Sequence, residues 1–109
     1  MYNREYENIP PNRLLKEIRK AGEEIDQLLA AGKITEWESW ECYFCLMFEC
    51  NLAAINFESR KETFFEERDR FAGKINREKF NPFHSKNIAV IMIARAILFY
   101  QGQNTNLDN

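Results

Sequence analysis

Apolar positions in the first third of the chain recur at helical spacing. Leu14, Ile18, Ala21, Ile25 and Leu28 are separated by 4, 3, 4 and 3 residues, and Leu15 and Leu29 widen this stripe to one buried helix face. Pro10-Pro11 blocks helix before this point, Asn12 is a favoured N-cap and Gly32 supplies a stop. The pattern therefore predicts a helix over 12–31 behind an extended arm of residues 1–11. Thr35 and Glu38 have the spacing of a capping box, in which each side chain accepts from the other residue's backbone N–H, so a second helix is expected from Glu36. No Gly or Pro follows until Gly73, and one uninterrupted helix over that span would be about 55 Å long, too long for a small domain. Apolar density drops between Phe57 and Phe64, and Ser59 with Glu62 offers another capping box. A break or kink is thus expected at residues 58–59, between a helix over 36–57 and a continuation or third helix to residue 72.

Residues 74–86 carry scattered charges and an Asn81-Pro82 turn signal, which reads as a loop containing a short helix. Ser85 or Asn87 then caps a last helix over 88–100, ended by Gly102 and followed by a frayed polar tail, 103–109. Ile88, Val90, Ile91 and Ile93 also suit a strand, but the interspersed alanines and the lack of a second strand favour helix. The elements together predict an all-α fold: a single domain over residues 1–109, built as a small bundle of three to four helices, with the last helix packed against its middle.

Composition narrows the class of molecule. The chain has 109 residues, of which 45% are apolar and 14% aromatic, excluding a disordered polymer. Four glycines and three prolines are few for an all-β fold, which uses such residues in its many turns. The net charge of −2 is far from the basic balance that favours phosphate binding. Charge is unevenly spread, with residues 31–60 net acidic and residues 70–86 net basic. The N-terminus shows no apolar segment behind a basic start, and the apolar run 88–100 is interrupted by Arg95 and shorter than the roughly 20 residues of a membrane span. Three cysteines, an odd number, do not suggest a disulfide framework. These features predict a cytoplasmic protein that does not enter a membrane.

Candidate chemistry is sparse. On one helix Cys45 lies about 300° around from Cys42, and Cys50 lies about 12 Å along the axis, so the three thiols cannot share one tetrahedral metal. They read as small apolar residues. His84 is the only histidine, with no assignable nucleophile or orienting partner beside it. No HExxH, GxxxxGK[ST] or GxGxxG motif occurs. No catalytic residue, cofactor or metal is therefore predicted, and the expectation is a non-enzymatic chain. Glu49 and Arg95 are lone charges in apolar helix stretches and are expected to pair across the core.

Two surfaces remain as binding candidates. Trp37, Trp40, Phe44 and Met47 recur at helical spacing beside Glu36, Glu38 and Glu41; such a stripe is ordinarily core, but tryptophan is also enriched in binding hot spots. With fifteen aromatics in so short a chain, a partner protein is the leading reading, and Trp37, Trp40, Phe44, Glu36 and Glu41 are its candidate contacts. The alternative is a nucleic-acid-binding regulator in which Arg70, Lys74, Arg77, Lys79 and Lys86 grip phosphates while Phe71, Phe80 and Phe83 stack on bases. The function expected is that of an adaptor, inhibitor or regulatory subunit, of a size also suited to a virus- or mobile-element-encoded inhibitor. The apolar last helix demands more cover than three helices readily supply, which points to a homodimer.

Overall fold

The computed structural model describes residues 9–108, with side chains described through Phe99. Among the described residues four α-helices follow one another: α1 (Pro11–Ala30), α2 (Glu36–Asn56), α3 (Lys61–Ala72) and α4 (Ile88–Asp108), with 3-10 turns at Glu58–Arg60 and Pro82–His84. The all-α bundle expected from the sequence is the fold observed. The arm expected over residues 1–11 falls largely outside the described residues.

The N-cap of helix α1 lies two residues before the expected one. Pro10 takes the N-cap position and Pro11 the first turn, where a missing N–H is harmless and a fixed φ is already helical; Asn12 is not the cap. The C-terminus closes as a Schellman motif: Gly32 adopts φ +70°, its N–H donates to the Leu29 carbonyl, and the Lys33 N–H donates to that of Leu28. Helix α2 begins on the Thr35–Glu38 capping box, with both reciprocal hydrogen bonds formed. It ends at Asn56, where Phe57 leaves helical geometry at φ −125°, ψ 74°. A continuous helix of about 55 Å would outrun the molecule's 43 Å longest dimension. The reversal instead brings Phe57 against Phe64, ring centroids 6.3 Å apart. The capping box expected at Ser59 and Glu62 does not form, because Arg60 occupies the N-cap of α3 without a side-chain hydrogen bond.

The main core lies between the first three helices. Leu15 and Ile18 of α1 meet Tyr43, Cys50, Ala53 and Ala54 of α2 and Phe64 and Phe71 of α3. Gly22 is buried in α1, where an added Cβ would lie 2.6 Å from the Phe71 ring. Because that ring is itself buried, the missing side chain sets how closely α1 and α3 approach. A second cluster, Trp40, Phe80 and Val90, fastens the 74–86 loop and α4 to the N-terminal half of α2.

The charge pair expected in the core is a different one. Arg95 is exposed on α4, so it brings no charge into the interior for Glu49 to meet. Glu67 of α3 is buried instead, because it lies on the Phe64–Phe71 stripe, and its carboxylate is met by Arg19 of α1 at 3.2 Å and Arg70 at 3.7 Å. Helix α4 also continues through Gly102 to Asp108, beyond the stop expected at Gly102. Its start uses both candidate caps in series: Ser85 Oγ accepts from the Asn87 N–H, and Asn87 Oδ1 accepts from the Ala89 N–H.

Two stability measurements check this packing. Gly22→Ala should destabilise by about 1–2 kcal/mol in urea unfolding, since overpacking outweighs the helix-propensity gain of about 1 kcal/mol. Arg19→Met should cost about 2 kcal/mol in the native background but well under ~1 kcal/mol beside Glu67→Gln, because the two losses share one interaction. Additive losses would show that the pair is not coupled.

Candidate functional site

The tryptophan stripe of α2 faces inward. Trp40 is 7% exposed while Trp37 and Phe44 are half-buried. Phe80, reached through the loop after α3, fills the space between them, with centroids 4.9 Å from Trp37, 6.3 Å from Trp40 and 5.9 Å from Phe44. Trp40 is therefore a core residue and not an exposed anchor. Glu36 is exposed at the start of α2, whereas Glu41 accepts a hydrogen bond from the buried Ser85 hydroxyl. Glu41 thereby anchors the Ser85–Asn87 relay that begins α4, a positional role within the fold.

The basic segment is partly engaged within the fold. Lys74 is bound to Asp26 at 2.7 Å and Arg70 lies against Glu67, while Arg77, Lys79 and Lys86 are exposed. Phe71 and Phe80 are buried, leaving Phe83 as the exposed aromatic of the three proposed to stack on bases. Two of the five cations thus make ion pairs within the fold while staying exposed, and two of the three rings are buried.

A polar junction joins α1, α2 and the loop after α3. Asp26 accepts hydrogen bonds from the Tyr43 hydroxyl and from Lys74, whose ammonium also sits 5.3 Å from the Tyr43 ring centroid. Burial alone would raise the Asp26 pKa, but the hydrogen bonds from Lys74 and Tyr43 and the Lys74 charge outweigh it and hold the carboxyl below its ordinary range. The Tyr43 hydroxyl is pushed up, first by burial and then by its bond to Asp26. Arg19, Glu67 and Arg70 continue this junction along a shallow groove of about 200 Å³.

The cysteines are dispersed and poorly activated. Cys50 is fully buried, Cys45 half-buried and Cys42 exposed, all as free thiols. Burial and then the neighbouring carboxylates Glu41 and Glu38 raise the Cys42 thiol; burial, Cys42, Glu41 and Glu49 raise Cys45. Cys50 is pushed up to about 12 by burial, Glu67 and Glu49, against a lesser opposing effect of Arg68. A thiol kept protonated is a weak nucleophile and a weak metal ligand. Among the described residues no three His, Cys, Asp or Glu side chains gather around a common metal position. His84 is exposed on the Pro82–His84 turn.

The surface that stands out was not among the candidate contacts. Among the described side chains of α4, four large apolar ones are open to solvent: Ile88 at 74%, Met92 at 57%, Leu98 at 55% and Phe99 at 68%. Val90 and Ala94 face the bundle on the other side of the helix. The signal for this surface was the uniform apolarity of 88–100, since a helix with no polar face cannot be covered by one neighbour.

Replacing Trp40 separates a core role from a contact role. Trp40→Ala should destabilise by about 3–5 kcal/mol in chemical unfolding, whereas Glu36→Gln should fall within about 0.5 kcal/mol of the parent. A small loss for Trp40→Ala would return the stripe to the list of exposed contacts. Comparison of the chain with protein-family models, with curated proteins and with solved structures finds no match.

Proposed function

We propose that the chain is a non-enzymatic protein-binding module, of the adaptor, inhibitor or regulatory-subunit kind, and that its docking surface is the outer face of α4. The observation that carries this reading is the exposed set Ile88, Met92, Leu98 and Phe99 on one helix. Contiguous apolar surface of this kind mark interaction sites, because leaving it in water forfeits about 25 cal/mol per Å². The raised thiols support a binding role over a thiol-based catalytic one. No helix among the described residues is long and apolar enough to cross a membrane. A reducing, cytoplasmic setting goes with the reading, given three free thiols.

The test is affinity capture with tagged chain, comparing the parent with Met92→Asp and with Ile55→Asp. Ile55 is 71% exposed at the end of α2 and serves as a control for a charge placed on apolar surface elsewhere. Met92→Asp should reduce retention of bound protein at least tenfold while Ile55→Asp leaves it unchanged. Equal retention by all three would overturn the assignment of α4 as the docking face.

A further inference from the structure

Taking Val90 as the inward direction and advancing by 3.6 residues per turn, Ile88, Met92, Arg95 and Phe99 all point about 140–200° away from it. Their spacings are 4, 3 and 4, the a/d repeat of a helix seam. Ala89 and Ala96 flank the stripe and are exposed, so a second backbone can approach closely along it. The stripe is thus a seam without its second helix.

We propose that the outer face of α4 is covered by α4 of a second copy of this chain, packed antiparallel about a two-fold axis. This rests on the reading of α4 as the docking face and names its occupant. Area is the first argument. The three apolar side chains of the stripe, each more than half exposed, present on the order of 400 Å² of surface, and a two-fold copy doubles this to about 800 Å²; the exposed Ala89, Ala96 and Arg95 stem of each copy bring the pair to about 1,000 Å², the scale at which a stable interface begins.

Self-complementarity is the second argument, and Arg95 sets its geometry. A parallel pair would place each Arg95 directly against its copy in the middle of the seam, and juxtaposed like charges oppose association. In the antiparallel arrangement Ile88 faces the partner's Phe99 and Met92 faces the partner's Arg95. The stripe then closes on itself with no residue left over. Each arginine stem lies over a methionine while its guanidinium reaches water at the edge of the seam. Arg95 accordingly selects the orientation and register and limits the strength of the pair.

Light scattering and sedimentation velocity of the whole chain over a wide concentration range test this. The expected mass is twice the 13.0 kDa of one chain. Met92→Asp should shift the dissociation constant up by at least a hundredfold, Ile55→Asp should leave it unchanged, and Arg95→Leu should tighten it, with circular dichroism confirming that each variant keeps its helices. A concentration-independent 13.0 kDa mass, or a dimer indifferent to Met92→Asp, overturns the proposal. A monomer that still loses a captured protein on Met92→Asp removes the second copy and leaves the protein-binding reading standing. A monomer whose capture is also unaffected removes both.

Discussion

Helix α2 is apolar on nearly every side, and the placement of the other elements follows from covering it. An amphipathic helix needs one neighbour, but a helix without a polar face must be surrounded. Tyr43, Cys50, Ala53 and Ala54 are closed off by α1 and α3, while Trp37, Trp40 and Phe44 require a different cover at the other end of the same helix. The loop after α3 supplies it with Phe80, and α4 completes it with Val90. Ile75 touches both clusters, which makes the loop a bridge between them instead of a slack connection. The small residues Ala53 and Ala54 on α2 and Gly22 on α1 let backbones come close where Phe64 and Phe71 need room.

The charged groups inside this arrangement are held by geometry that neutral pH does not disturb. The Asp26 carboxyl is lowered in the fold, so its contribution is present above the unfolded pKa near 4 and is lost only as pH falls through the depressed value. Tyr43 has the opposite sense. Its raised pKa means the folded chain retains a proton that the unfolded chain releases above about pH 10, so the contribution of that hydroxyl declines only in alkali. Lys74, Asp26 and Tyr43 therefore form a permanent clamp between α1, α2 and the loop, not a switch. Glu67 is a separate tie, made by position: it is buried with the Arg19 and Arg70 guanidiniums beside it and links α3 to α1.

What the sequence disclosed was local, and what it concealed depended on helix phase. The Thr35–Glu38 box and the break after Asn56 could be read because their signals lie within a turn of where they act. The buried charge was misplaced by the rule that picks a lone charge out of an apolar run. Arg95 lies in such a run yet faces outward, while Glu67 has charged neighbours on both sides yet stands 3 and 4 residues from Phe64 and Phe71 and shares their face. The close approach at Gly22 had no signal at all, since a glycine inside a helix pattern looks the same whether a ring or water lies opposite. The tryptophans were visible as a stripe, but only the position of Phe80, forty residues further along the chain than Trp40, decides that they belong to the core.

Helix α4 carries the consequence of α2 one step outward. It is itself apolar around most of its circumference, so covering α2 with Val90 and Ala94 leaves Ile88, Met92 and Phe99 in water on the opposite side. A polar outer face would have ended the sequence of covers within one chain, at little cost to the Val90 contact. Ile88, Met92 and Phe99 are retained there instead, at helix-seam spacing and with one arginine among them. Those side chains are 74%, 57% and 68% exposed, and none is a member of either buried cluster. The outer stripe is thus what remains once α2 has been covered, a row of apolar side chains that the bundle does not enclose.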